Sequence, residues 1–294
     1  MVRKKLFTLC CLFFVTAILM AAGLFSYMYG YTPVTLIPVD SREEIDIPII
    51  MYHGITETPY KESEYIVSAV RFENDLKWLN NNGYTTILPS QLISYVKEGT
   101  SLPSKPVILS FDDGFANNYT LAFPLLKKYN AKAVVAIIGS ESDISSGTIY
   151  KDQLHSNLSW GEIAIMADSG LVEFANHSYS LHAAPENGRK GADMLPGENF
   201  EQYRQILLKD LGKNQTTIEE TTGVPPQVFA WPYGAYPSDR CADSVLKELG
   251  FEATFVSYQH TSTVKAGYPE SLYGLGRYLR TPDFDINKIT VGHL

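Results

Sequence analysis

Four short stretches of this sequence carry residue types capable of hydrolytic chemistry. The first is SFDDG, residues 110–114, where Asp112 and Asp113 directly follow an apolar run. Two carboxylates this close repel, and one is driven toward protonation unless a cation lies against them. A divalent metal supplies that cation and divides the work, one carboxylate binding the ion and the other handling a proton. An ordinary Asp-Gly turn is the plain alternative. The second stretch is HSYSLH, with His177 and His182. Imidazoles suit zinc and related metals. Their five-residue separation does not place them on one helix face, so a shared ion requires a loop. With one Asp they make a two-histidine, one-carboxylate set that leaves positions open for water and substrate. The third is FAWPYG, residues 229–234, where Pro232 and Gly234 shape a turn. That turn either aims the Tyr233 backbone N–H at an oxyanion or simply ends a strand. The fourth is IIMYHGI, which places His53 at the end of an apolar run. A lone histidine there is usually structural, and its interest lies in the company it keeps.

These groups need elements to hold them, and the sequence alternates strand and helix signals. Strand-length apolar runs occur at 47–53, 85–88, 106–111, 131–139, 172–176, 228–234, 251–257 and 273–279. Helical spacing appears at 68–82, with Phe72, Leu76 and Leu79 on one side and Gly83 as terminator. Further helices are expected at 89–96, 119–129, 198–213 and 238–249, and from the Ser159 cap to Gly170. Continuously apolar strands alternating with helices imply a parallel sheet covered by helices. Both a closed barrel and an open doubly wound sheet fit that pattern. The barrel is favoured because His53, Asp112, Asp113, His177 and Tyr233 all fall at C-terminal ends of different strands, which converge on one face of a barrel. In an open sheet only strands beside the switch point would meet.

Together the four motifs, spread over about residues 47–280, resemble the polysaccharide deacetylases of carbohydrate esterase family four. The resemblance implies an α/β fold, a distorted barrel of seven or eight β/α units. It implies that Asp112 is the general base, that Asp113, His177 and His182 hold a divalent metal, and that the Tyr233 amide helps bind the oxyanion. The implied metal is zinc, with cobalt, nickel, manganese and iron as alternatives for the same ligands. The sequence departs from the commonest family pattern in three ways. The histidines are five apart instead of four, Ala230 stands where an Arg is usual, and no convincing late Leu-x-His motif supplies the acid, His293 being the only late candidate. The branch that deacetylates poly-N-acetylglucosamine of biofilms is similar in all three respects. It implies His53, in MYHGI, as the general acid, and leaves Arg277 as a candidate replacement for the charge missing at Ala230. Tyr179, Trp231, Pro232 and Gly234 become candidate substrate-binding residues, the aromatic pair either stacking on sugar rings or packing in the core. Peptidoglycan is the alternative polymer. A carbohydrate-binding or export-scaffold protein on the same fold is the alternative class.

The first thirty-one residues differ from the rest. Arg3, Lys4 and Lys5 precede an uncharged apolar run from Leu6 to Tyr31, longer than the roughly 20 residues a membrane-spanning helix needs. The basic flank orients the N-terminus to the cytoplasm and exports the remainder. A cleaved signal peptide is the alternative, which would leave a secreted protein. Residues 32–46, polar and punctuated by proline, read as a tether, and 47–294 as the catalytic domain. Without the three basic residues of the anchor, the exported part carries 21 basic against 32 acidic residues, a net of −11. Such a surface is a poor partner for nucleic acid or anionic lipid. The expected partners are an N-acetylglucosamine polysaccharide, the membrane through 6–31, and a polysaccharide synthesis or export complex. Cys10 and Cys11 lie in the apolar run, and Cys241 alone cannot form an internal disulfide. The exported domain must therefore be stable through its core.

Overall fold

In the computed structural model the described residues are 44–149, 152, 154–182, 188–237 and 239–289. The strands are β1 Glu44–Ile47, β2 Ile49–Tyr52, β3 Gly54–Thr56, β4 Ile66–Ser68, β5 Thr85–Thr86, β6 Pro106–Phe111, β7 Ala133–Ile137, β8 Val172–Asn176, β9 Val228–Ala230, β10 Ala253–Phe255, β11 Ser262–Lys265 and β12 Tyr278–Leu279. The helices are α1 Ala69–Asn81, α2 Pro89–Glu98, α3 Phe123–Tyr129, α4 Gly139–Ser146, α5 Trp160–Asp168, α6 Phe200–Thr222 and α7 Asp243–Glu248. The main sheet runs β12-β2-β6-β7-β8-β9-β10, with β5 also on β6, and all its pairings are parallel.

Every residue of β2, β6, β7, β9 and β10 is buried, as a sheet covered on both faces requires. Successive side chains serve different cores because strand side chains alternate. Ile50, Val107, Leu109, Phe111, Val135 and Phe174 point out to α1, α3 and α5. Ile49, Ile108, Val134, Ala136, Ala230 and Phe255 point inward to one another and to α2. A third cluster packs Phe229 and Trp231 against α6 and α7.

The sheet curls into a half-barrel, less regular than the expected barrel of seven or eight β/α units. Between its ends, β10 and β12, the ladder shrinks to one bridge, Phe255 to Leu275. There the Leu275 N–H donates to the Thr254 carbonyl and the Val256 N–H to the Leu275 carbonyl, both at 2.9 Å. The last segment then turns to pair Tyr278 and Leu279 with Ile50 and Met51 of β2. A buried ion pair fastens it: Arg280 Nε and Nη2 donate to Asp75 of α1 at 2.7 and 2.9 Å, and the Tyr52 hydroxyl donates to the same carboxylate at 3.0 Å.

Helix ends follow local chemistry. Ser68 caps α1 by accepting from the Arg71 N–H, and Asn199 caps α6 by accepting from the Gln202 N–H. Gly99 and Gly223 end α2 and α6 in the left-handed region. Several expected boundaries move. The run 131–139 ends as a strand at Ile137, and α4 begins at Gly139. Helix α6 continues to Thr222, nine residues beyond the expected end at 213, because Leu211, Gln215 and Ile218 stay on its buried face. The run 273–279 yields only a two-residue strand. Glu44–Asp46, read as tether, belong to β1, which pairs antiparallel with β11. The expected membrane span, the rest of the tether and His293 lie outside the described residues. Among the described residues no helix is long and apolar enough to cross a membrane.

Candidate active site

Asp112 is the first residue after β6, its N–H donating to the Tyr52 carbonyl of the adjacent strand at 2.9 Å. It continues the inward-facing series Ile108, Ser110, so its side chain points into the curled sheet and is 4% exposed. Arg277 meets it there, itself 1% exposed. Nη1 and Nη2 donate to the two carboxylate oxygens at 2.6 and 2.8 Å, a bidentate pair. The guanidinium also donates from Nε to the Val256 carbonyl at 3.1 Å. Burial alone would raise the Asp112 carboxyl; Arg277, with His177 and His53, instead holds it well below the usual carboxylate range. Asp112 is therefore an anion at neutral pH.

Asp113 leaves the strand in the left-handed region (φ 67°), followed by Gly114 at φ 66°. A Cβ on Gly114 would lie 2.8 Å from Ile137 Cδ1, so the turn needs glycine there. Asn157 Nδ2 donates to the Asp113 carbonyl at 2.6 Å and holds the turn. The Asp-Gly pair is thus not an ordinary hairpin turn; it aims the second carboxylate at the two histidines. That side chain meets His177 and His182, with Nε2 of each 3.4 Å from Asp113 Oδ1. His177 follows β8 directly and is 2% exposed. Its Nδ1 lies 2.7 Å from the Ala230 carbonyl, which can only accept, so Nδ1 carries hydrogen and Nε2 is left to bind.

One ligand atom from each of Asp113, His177 and His182 lies within 4.8 Å of the others. This donor set, with its tautomer fixed by an outer hydrogen bond, fits a tetrahedral divalent ion that keeps an open position. Burial would neutralise both Asp113 and His177. Their contact instead holds the Asp113 carboxyl below its ordinary value and raises His177 above its own. A divalent cation held there would supply the positive charge that the Asp113 carboxylate otherwise draws from His177. His182 shifts the other way, lowered by burial and by the neighbouring His177.

His53 follows β2, and its carbonyl accepts from Asn118 Nδ2 at 2.8 Å. Burial lowers its pKa, against the attraction of the Asp112 and Asp113 carboxylates, with Arg277 and His177 adding to the lowering. Nδ1 is buried without a hydrogen-bond partner among the described residues. Tyr233 occupies the left-handed region (φ 57°) inside the PYG turn and lays its ring 4.6 Å from that of His182. Gly234 permits this turn: at φ 62°, a Cβ there would fall 1.8 Å from Ser257 Oγ.

The candidate substrate-binding residues divide differently. Trp231 is fully buried, in edge contact with Phe229 at 4.9 Å, and cannot stack on a sugar, because the strand alternation sends it outward under α6 and α7. Tyr179 is also committed to the protein. Its hydroxyl donates to Asp143 at 2.6 Å, and Lys213 Nζ covers its ring at 3.5 Å. Pro232 is buried beneath Gly191. Pro232 and Gly234 therefore shape the turn that presents Tyr233. An exposed aromatic that sequence reasoning missed is Tyr65, 50% exposed, with its ring 4.9 Å from His53. It lies in the loop between β3 and β4, where no periodicity marks it. Asn157, Asn117 and Asn118, which hold the turn and the His53 loop, were equally without a signal.

Residues 99–255 match the family described as polysaccharide deacetylase. A poly-β-1,6-N-acetyl-D-glucosamine N-deacetylase of Escherichia coli K12 is 28% identical over 70% of this chain, and the matched region is 33% of that protein's length. Thus the chain spans about a third of that curated relative. A de-N-acetylase from Aggregatibacter actinomycetemcomitans superposes with a TM-score of 0.70 at 28% identity, covering 82% of this chain and 97% of the other. IcaB from Ammonifex degensii superposes at 0.66 with 27% identity, covering 81% and 93%. With the matched region exceeding half of its length, the chain belongs to the polysaccharide deacetylase family.

Proposed function

We propose that this protein is a metal-dependent N-deacetylase of poly-β-1,6-N-acetylglucosamine, working outside the cell and anchored by residues 6–31. The observation that carries the reading is the convergence of ligand atoms from Asp113, His177 and His182 within 4.8 Å of one another, one residue along the chain from the guanidinium-held Asp112. The activity named for the similar proteins supports the reaction and the polymer. The export signal in the sequence supports the location.

Asp113, His177 and His182 would hold the ion, and the two imidazoles favour zinc. When bound, such an ion polarises the acetyl carbonyl and acidifies water. Asp112, kept anionic and oriented by Arg277, takes the proton of the water whose oxygen adds to the acetyl carbon. The PYG turn supplies the Tyr233 backbone amide to the oxyanion. His53 must deliver a proton to the departing nitrogen, because an amine leaves readily only when protonated. The amide C–N bond breaks, the acyl group takes the water oxygen and becomes acetate, and the sugar keeps a free amine. Tyr65 and Tyr233, exposed beside His53 and His182, offer faces to sugar rings.

Acetate release from defined β-1,6-linked N-acetylglucosamine oligomers tests the proposal. Release that stops with chelator and returns with zinc supports it. Equal release from purified peptidoglycan, or none from the oligomers, would overturn the assigned polymer. Release unaffected by chelator would remove the metal.

A further inference from the structure

Four residues, Ser178 to Leu181, separate the two histidines, and helix α6 holds this loop from one side. The Asp210 carboxylate accepts the Tyr179 N–H at 2.8 Å through Oδ1. Its Oδ2 accepts the Ser180 N–H at 3.0 Å and the Ser180 hydroxyl at 2.8 Å. One turn further along the same helix face, the fully buried Asn214 directs Nδ2 to the Ser178 carbonyl at 3.0 Å, the Asn176 side-chain oxygen at 3.0 Å and the Ile137 carbonyl at 2.8 Å. Asn176 Oδ1 in turn accepts the Ser178 N–H at 2.9 Å. From the other side, the start of α4 donates Gly139 N–H to the Ser178 carbonyl and Ser140 N–H to the Tyr179 carbonyl, at 3.2 and 2.9 Å. Gly139 allows this approach, since a Cβ there would lie 2.4 Å from Asn214 Oδ1 and 2.6 Å from Tyr179 Cδ2.

The loop would not keep this shape unaided. Ser178 sits at φ 71°, a left-handed conformation that is unfavourable for a non-glycine residue. The five-residue spacing also means that no helix or strand register brings the two imidazoles together. We propose that Asp210, assisted by Asn214, is a positioning residue for the metal site: it fixes the loop so that His182 reaches the ion shared with Asp113 and His177. This rests on the metal-site reading above. Asp210 touches no ligand atom and acts through the backbone of Tyr179 and Ser180. Outer partners that orient metal ligands typically contribute 10–100-fold in metal affinity, and a carboxylate that accepts three hydrogen bonds belongs to that class.

The test is Co(II) binding to the full chain, read by competition with a chromophoric chelator and by the visible absorption of the bound ion. Asp210→Ala should bind Co(II) about 10–100-fold more weakly than wild type and show an altered visible band. Lys209→Ala, exposed on the same helix, should change neither. Asp210→Asn keeps the volume but loses acceptors, so it should fall between, and it carries the test if the alanine variant does not fold. A folded Asp210 variant with wild-type Co(II) affinity and spectrum, even if less stable to heat, overturns the proposal and leaves the metal site standing. If wild type takes up no Co(II), or His182→Ala binds it as tightly as wild type, the metal-site reading falls and takes the proposal with it.

Discussion

Replacing Arg277 with methionine isolates the contribution of the Asp112–Arg277 pair, because methionine keeps much of the volume and removes the charge. Both side chains are nearly inaccessible, at 1% and 5%. Two hydrogen bonds of 2.6 and 2.8 Å between charged groups are lost; at about 1.5–3 kcal/mol each, they amount to about 3–6 kcal/mol. Breaking one side of a buried ion pair is independently expected to cost about 3–5 kcal/mol, since the remaining charge stays desolvated. The two routes agree. For a domain of this size each kcal/mol moves the melting temperature by about 2–4 °C, so Arg277→Met should melt about 6–20 °C below wild type. Asp112→Asn should cost less, because the guanidinium keeps its bond to the Val256 carbonyl and the amide oxygen can still accept. The double variant should be more stable than the sum of the single losses implies, by about 1–3 kcal/mol. Thermal and urea unfolding, followed by circular dichroism, complete the cycle. A single Arg277→Met variant within 1 kcal/mol of wild type, or a coupling energy near zero, would refute the view that Arg277 sustains the charge on Asp112.

Other consequences can be checked in the same way. His53→Ala should lower kcat by about 10²–10⁴-fold, the range for a lost general acid, with unchanged zinc stoichiometry; a change of tenfold or less would remove it from the reaction. Glu62 accepts from Arg71 Nε and Nη2 and from the Ser68 N–H, and these contacts, the Arg71 hydrogen bond foremost, lower its carboxyl from 4.5 to about 2. Because the folded value is depressed, its stabilisation is fully present above about pH 4.5 and fades as pH falls toward 2. Glu62→Gln should therefore remove about 1 kcal/mol of stability at pH 7 and flatten the pH dependence of unfolding between pH 5 and 2; an unchanged acid limb would contradict this. Gly234→Ala should cost about 2–3 kcal/mol by overpacking and backbone strain, and its acetate release should fall with it; a variant as stable as wild type would show that Ser257 yields.

Much of the site was legible because its chemistry is written in adjacent residues. Asp112 and Asp113 adjoin a run that can only be a buried strand, and PYG can only be a turn. The four motifs meet because parallel strands bring their C-terminal ends to one face. What the sequence concealed depends on direction, and direction is set by packing. Trp231 is two residues from Tyr233, yet alternation along β9 turns it to the far side of the sheet. Tyr179 lies between the histidines, yet Asp143 and Lys213 claim it. Arg277 was suggested only by the need to replace a charge at Ala230, since a contact across 165 residues leaves no local trace. Asn214 did leave one: it falls in the buried stripe of Leu207, Leu211 and Ile218, and a polar residue in such a stripe must have a partner.

The placement of Arg277 on the last segment also bears on how the enzyme comes into being. A chain emerging from its N-terminus completes β6 and Asp112 long before residue 277 exists, and it completes α1 with Asp75 some 205 residues ahead of Arg280. Until the final strand docks beside β2, two carboxylates face an apolar interior without a counter-charge. Arrival of Arg277 and Arg280 neutralises both at once. Docking of the last segment and pairing of both buried carboxylates are therefore one event, and a chain that stops short of residue 277 lacks the charge balance of the finished domain.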